Sequence, residues 1–421
     1  LNRLVLAVLE RCPSAVRRSL IFFYRWLQFR LWKLRVFTKT RHIKPTYDIY
    51  KTIWIDPSKI EFVCEPGGKK GRLLTCGEVA GGDWDKAISS FDSLDVYRAL
   101  KNRIEEQWAW DETQFYSRVL MEIDKGNYLW GCKNREELNG RCASIDRLYE
   151  TINGSGYKTK EELSNDAEDP FWDHDEVIVH IDRDGRLLFG DGRHRLAIAK
   201  ILGLQSIPAK VGRRHANWVE FRSEIIQYAN EMYGGKVYHS LMHPDLRDIP
   251  ASHSLKRFEI IEQHVPTPPG QVLDIGANWG FMSHCFENLG FACVAVENSP
   301  RDVYFLKKLR DAEGKKFEVI STDVLEYQDK TRFKIVLALN IFHHFIKTEF
   351  LHDRLVKFLN RIETEVVFFE PHNIEEPQMV GAYRNYDHEE FVAFVLKHSG
   401  LTTAINVGMA EDGRPIYKMS R

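Results

Sequence analysis

From residue 271 onward the apolar residues fall in short unbroken runs, the pattern of strands buried on both faces in a parallel sheet. Val272, Leu273 and Ile275 form the first run, with Asp274 near its carboxyl end, and it leads through Gly276-Ala-Asn278-Trp-Gly280-Phe into a helical segment. Phe291–Val296 is the second run and ends in Glu297, Phe317–Asp323 is the third, Ile335–Asn340 the fourth and Val366–Glu370 the fifth. Thr402–Val407 and Arg414–Met419, separated by Glu411-Asp-Gly413, read as a closing antiparallel hairpin. The pattern predicts an α/β fold. Gly276 and Gly280 bracket the first turn, where side chains would block a ligand approaching the backbone, and the helix behind offers free N–H groups. Glu297, at the tip of the second strand, stands where a ribose diol is held.

Between residues 47 and 232 the periods are mixed. Thr52–Asp56 is a short strand, Leu94, Tyr97, Leu100 and Ile104 keep helical spacing, Phe115 and Val119 begin a second helix, and Arg135–Ile152 is a third. Val177–Ile181 and Arg186–Phe189 are strands joined by Asp182-Arg-Asp184-Gly185, a favoured hairpin turn. Gly190-Asp191-Gly192-Arg193-His194-Arg195 follows, then a helix over Ile198–Leu202 and a strand at Ile207–Val211. The glycines free the backbone, and the basic residues gather positive charge at a helix start, a combination that suits a phosphate. The plainer reading is a helix cap whose arginines pair with nearby acids such as Asp182 or Asp184.

The C-terminal pattern resembles class I S-adenosylmethionine-dependent methyltransferases. The first motif, D-x-G-x-x-x-G with G-A-N-x-G-F and a following V-A-V-E, is similar to the FkbM-type branch, many of whose members methylate sugar hydroxyls. A dinucleotide fingerprint needs G-x-G-x-x-G, and the third glycine is missing here. The branch's late acidic D-x-E-G segment is missing too, so subfamily and substrate stay open. The resemblance implies a Rossmann-like domain in which Asp274, Gly276, Asn278, Gly280, Glu297, Asp323 and Asn340 hold S-adenosylmethionine. Asp191–Arg195 resembles the D-G-x-H-R form of the ParB/sulfiredoxin-like fold, which implies an α+β domain binding a nucleoside di- or triphosphate through residues 190 to 195. Arg193 stands where sulfiredoxin has its reactive cysteine, which excludes that chemistry. The expected organisation is a basic helical extension over 1–45, a ParB-like domain over 46–232, a connector or lid over 233–254 and a methyltransferase domain over 255–421.

Charge changes the picture at one end. The net charge is −1, yet residues 1–45 hold eleven Lys and Arg against Glu10 alone, so that segment carries +10 and the rest −11. The run Leu4–Leu9 is short and runs into Glu10 and Arg11, so a signal peptide is not expected. Ser19–Phe37 is interrupted by Arg25, Arg30, Lys33 and Arg35, which argues against a crossing helix. Residues 1–40 read either as an amphipathic helix on an anionic membrane face or as a packing helix with its arginine stems laid over apolar surface. The seven cysteines have no C-x-x-C spacing, and a cytoplasmic setting is expected.

The connector holds His239, His243 and His253, but Gly234-Gly235 and Pro244 argue against the helix that would align metal ligands, and no metal is expected. His343 and His344 follow the fourth strand, where a base near neutral pKa would reach an acceptor hydroxyl; only one of the two is expected to be catalytic. The acceptor expected is a glycan, a nucleotide-sugar or another small molecule. Two other readings are a bifunctional ParB-like kinase and methyltransferase, and a nucleic-acid methyltransferase. The latter is disfavoured because Asn340-Ile-Phe-His lacks the prolines and stacking ring that hold a flipped base, and because the chain beyond residue 45 is acidic.

Overall fold

A computed structural model describes residues 51–64, 77–159, 176–328 and 332–421, with Leu27, Arg30, Leu31 and Leu34 of the N-terminal extension. Those four are helical and exposed; the rest of the expected basic helix lies outside the described residues. The chain divides into two units, Leu1–Phe221 and Arg222–Arg421. No helix among the described residues is long and apolar enough to cross a membrane.

The first unit contains strands β1 (Thr52–Ile55), β2 (Phe62–Cys64), β3 (Glu78–Ala80) and β4 (Ile88–Ser90), and helices α1 (Asp95–Glu105), α2 (Gln114–Asp124) and α3 (Arg135–Ser155). Strands β5 (Val177–Ile181) and β6 (Leu187–Asp191), helix α4 (Arg193–Ile201) and strand β7 (Ile207–His215) complete its sheet, and helix α5 (Ala216–Tyr233) carries the division between the units. The strand order is β1-β7-β5-β6-β2-β4, with β3 also on β7. Parallel and antiparallel pairs are mixed in it. The expected helix at Ile198 begins earlier, at Arg193, so Gly190 and Asp191 end a strand and the basic residues form the helix's own first turn.

The second unit opens with a short parallel pair, β8 (Val237–His239) and β9 (Ala251–His253), so the connector is itself structured. Helix α6 (Lys256–Glu262) follows, then β10 (Gln271–Ile275), α7 (Phe281–Asn288), β11 (Ala292–Glu297), α8 (Pro300–Ala312), β12 (Glu318–Ser321) and β13 (Phe333–Leu339). Helix α9 (Glu349–Arg361), β14 (Thr364–Glu370), α10 (His388–Ser399), β15 (Thr403–Met409) and β16 (Pro415–Ser420) end the chain. The order is β12-β11-β10-β13-β14-β16-β15; the first five strands are parallel and the hairpin adds on antiparallel. Leu273, Val294, Val336 and Val367 bury one face, and Val272, Cys293, Ile335 and Val366 the other. Burial on both faces explains why these strands read as unbroken apolar runs. The order reverses at β10, which opens a crevice beyond the carboxyl ends of β10 and β13.

Candidate functional site

The turn after β10 is built from three residues in the left-handed region, Gly276 (φ 65°), Asn278 (φ 51°) and Gly280 (φ 80°). A Cβ on Gly276 would stand 2.7 Å from Ile341 Cδ1, so glycine answers both the backbone and the neighbour there. The N–H groups of Gly276 and Ala277 donate to the Val296 carbonyl at 2.9 and 3.1 Å, which ties the turn to the end of β11. Glu297 completes the tie. Its carboxylate accepts from the N–H groups of Asn278, Asn298 and Ser299, each at 2.9 Å. Burial raises its pKa against those three donors, and it retains acceptor capacity for a ligand hydroxyl.

Asp274 lies in the buried layer, 5% exposed, and accepts from Ser283 Oγ of α7 at 2.7 Å; burial pushes its carboxyl up to about 6. Asp323, just past β12, caps the short 3-10 helix Val324–Glu326 and lies 3.2 Å from Arg354 Nη1. The Thr322 N–H donates to the Glu297 carbonyl at 3.1 Å, so the tips of β11 and β12 adjoin. Asn340, at the end of β13, is also left-handed (φ 52°); its N–H donates to the Glu370 carbonyl at 2.9 Å, and its buried Oδ1 has no hydrogen-bond partner among the described residues. The seven residues expected to hold a cofactor thus come from the carboxyl-side ends of β10 to β13.

His343 and His344 sit in the 3-10 helix Phe342–Ile346 with ring centroids 4.0 Å apart. The expectation of a near-neutral imidazole is corrected for His343: it is 2% exposed, and burial, reinforced by His344 and His372, pushes its pKa down to about 3. His344 is exposed, and partial desolvation beside Lys347 also lowers its pKa.

Several residues here escaped the sequence reading. Arg257 of α6 and Glu370 at the end of β14, 3% and 0% exposed, form a two-point ion pair at 2.7 and 2.9 Å. Arg257 Nη1 also lies 3.2 Å from His239 Nε2, and the His239 ring stacks on Phe281, the first residue of α7, at 4.5 Å. The connector therefore packs on the start of the turn helix. Glu370 was visible as a strand-ending acid, but nothing local marks Arg257 or His239 as its neighbours.

In the first unit, Gly192 (φ 88°) is the left-handed cap of α4, and Asp191 Oδ1 accepts the Gly192 N–H at 2.8 Å. Gly190 serves packing: a Cβ there would stand 2.7 Å from Nε2 of the buried His180. The arginines of the motif do not pair with Asp182 or Asp184 in the contacts seen. Arg193 lies over the Trp130 ring at 5.2 Å, and Arg195 is 3.5 Å from Glu176. His194 packs on Trp130 at 5.1 Å, and burial beside Arg141 and Arg193 lowers its pKa to about 3. Asp182 instead takes Arg186, and Arg183 takes Asp83 and Asp85. Among the described residues no group of three or more His, Cys, Asp or Glu is placed to hold a metal ion.

No protein-family model matches the chain, and no curated protein matches it. Among solved structures, a crystal structure of monomeric WbdD aligns at 20% identity over 46% of this chain and 48% of that one, with a TM-score of 0.39. Another, described as the bifunctional kinase-methyltransferase WbdD, aligns at 20% identity over 46% and 45%, with a TM-score of 0.38. An S-adenosylmethionine-dependent methyltransferase from Clostridium acetobutylicum aligns at 14% identity over 39% of this chain and 89% of that one, with a TM-score of 0.31. The alignment spans about half the length of the WbdD chains.

Proposed function

We propose that the second unit transfers a methyl group from S-adenosylmethionine to the hydroxyl of a glycan, nucleotide-sugar or other small molecule. The observation that carries this reading is the left-handed turn after β10, locked to Glu297 where the strand order reverses. Glu297 has acceptor capacity for a ribose diol, and Asn340 Oδ1 is a buried acceptor with no hydrogen-bond partner among the described residues. These residues fit the cofactor, which supplies an electrophilic sulfonium methyl when bound. The chain's part is to hold the acceptor oxygen in line and to take its proton.

For the first unit we propose nucleotide or phosphate binding at the Gly192 cap, in the manner of ParB-like domains. Arg193 and Arg195 are held there by Trp130 and Glu176, at the N-terminus of α4. Phosphoryl transfer at Asp191 to Arg195 is the second reading, and residues 1–40 are proposed to contact an anionic membrane face. Methyl-labelled S-adenosylmethionine incubated with the protein and fractionated cell extract tests the main reading. Label in a glycan or nucleotide-sugar fraction is expected; label in nucleic acid overturns the choice of acceptor. Failure to bind the cofactor overturns the whole.

A further inference from the structure

Beyond the end of β14 the chain runs Pro371-His372-Asn373, and His372 is fully buried. Its Nε2 lies 2.8 Å from Asn385 Oδ1. The amide of Asn385 is oriented by its other end, since Nδ2 donates to the Ile374 carbonyl at 2.9 Å. Oδ1 is therefore the atom facing the imidazole, and it can only accept. In neutral His372 the proton then sits on Nε2 and the lone pair on Nδ1. That Nδ1 is buried and has no hydrogen-bond partner among the described residues. A histidine whose one nitrogen is oriented by an amide oxygen, leaving the other as a lone pair, has the arrangement of an oriented general base. Neither His343 nor His344 has such an orienting contact among those the structure shows, and both nitrogens of His343 lack a hydrogen-bond partner among the described residues.

The surroundings suit a hydroxyl-bearing guest. The His343 ring is 5.6 Å from that of His372 and makes no hydrogen bond among the described residues. A groove of about 470 Å³ adjoins, lined by Asn373, Ile374, Glu375, Glu376, Pro377, Asp387 and His388. Five of its seven lining residues, Asn373, Glu375, Glu376, Asp387 and His388, carry polar side chains that can meet the hydroxyls of a polyhydroxylated molecule. Asn373 is held in place by His388 Nε2 at 3.1 Å and by Glu376, which accepts its N–H at 2.9 Å.

We propose that His372 is a catalytic residue of the methyl transfer inferred above, on which this step rests, and that the adjoining groove receives a hydroxyl-rich acceptor of the sugar class. His372 Nδ1 takes the proton of the acceptor hydroxyl while that oxygen forms its bond to the methyl carbon, and the carbon–sulfur bond leaves its electron pair on sulfur. The imidazolium so formed keeps its Nε2–H on Asn385 Oδ1 and gives the new proton to solvent on product release. The groups around the ring act in both directions. Burial, His388 and Arg414 disfavour the cation, Glu376 and the Asn385 contact favour it, and the net is a pKa below the usual 6.5, so the free base predominates at neutral pH. His343 adds a neutral neighbour.

Two readouts test this. Long-range proton–nitrogen NMR of histidine-labelled protein, with signals assigned by their loss in His372→Gln, is expected to show the Nε2–H tautomer; the Nδ1–H tautomer overturns the proposal whatever the activity. Asn385→Asp places a negative charge on Nε2–H and is expected to raise the His372 pKa by about one to two units. The low-pH limb of methyl transfer, measured with labelled S-adenosylmethionine and the extract fraction the wild type labels, is expected to move up with it. His372→Gln keeps a donor for Asn385 and is expected to lower turnover by about 10²- to 10⁴-fold with cofactor affinity unchanged. Full turnover in His372→Gln, or a pH limb unmoved by Asn385→Asp, overturns the role. A wild type that neither binds cofactor nor transfers label overturns the methyltransferase reading instead.

Discussion

Replacing Arg257 by Met strips the fully buried Glu370 carboxylate of its two-point partner. Breaking a buried pair on one side typically costs roughly 3–5 kcal/mol. The value here falls below that range, because Arg414 Nη1 remains 3.8 Å from Glu370 while also serving Glu376 and Asp412, and because Glu370 is readily protonated. The pH dependence is more diagnostic than the size. Burial outweighs both arginines and holds Glu370 at about 7, above the usual 4.5. The folded state then binds a proton that the unfolded state has released, so stability falls as pH rises from 4.5 to 7. Without Arg257 the folded pKa rises further and the fall continues above 7. At pH 6 the wild-type carboxyl is largely protonated and the substitution costs little. At pH 8.5 the extra cost reaches about 2 kcal/mol, at about 1.4 kcal/mol per pH unit. The assay is urea denaturation followed by hydrogen exchange in the β14 peptide, which reports the second unit by itself. Arg257→Met/Glu370→Met removes both charges and is expected to cost less than the single change at pH 8.5, with no pH dependence between 6 and 8.5. A single-mutant deficit equal at the two pH values refutes the reasoning.

Three further outcomes are expected. Asp274→Asn keeps the Ser283 contact and removes a carboxyl whose folded pKa of about 6 makes stability fall as pH rises from 3.8 to 6; thermal melts at pH 7.5 should show a gain on the order of 1–3 kcal/mol that vanishes near pH 3.5. Glu297→Ala leaves the N–H groups of Asn278, Asn298 and Ser299 without their acceptor; calorimetry should show at least about tenfold weaker S-adenosylmethionine binding, near 1.4 kcal/mol, and unchanged affinity would remove Glu297 from the site. Gly190→Ala drives a Cβ to 2.7 Å from His180 Nε2 and 3.1 Å from the Ile178 carbonyl; a loss of about 1–3 kcal/mol from the first unit is expected in urea titration, relieved when His180→Ala is added.

Strands of the second unit were legible because each is buried on both faces and so is apolar at nearly every position, a local signature that needs no knowledge of neighbours. The Gly276 to Gly280 turn was legible for a similar reason, since glycines between a strand and a helix report backbone geometry directly. The strand-tip residues Glu297, Asp323 and Asn340 followed from those strand ends. Long-range packing decided the rest. Asn278 and Asn340 are left-handed although neither is glycine. Arg257 meets Glu370, 113 positions later, only after α6 docks beside the sheet. Trp130 reaches Arg193 across three elements, α3, β5 and β6, and takes the place expected for an acidic partner there. Histidine was the least legible residue: His343, expected near neutrality, is held low by burial, and His372 drew no notice because the amide that selects its tautomer lies thirteen positions away on the far side of a loop. Periodicity and turn chemistry are properties of neighbouring residues and can be read along the chain. Desolvation, tautomer and ion pairing depend on which distant groups the fold brings within a few ångströms, and only the tertiary structure decided those.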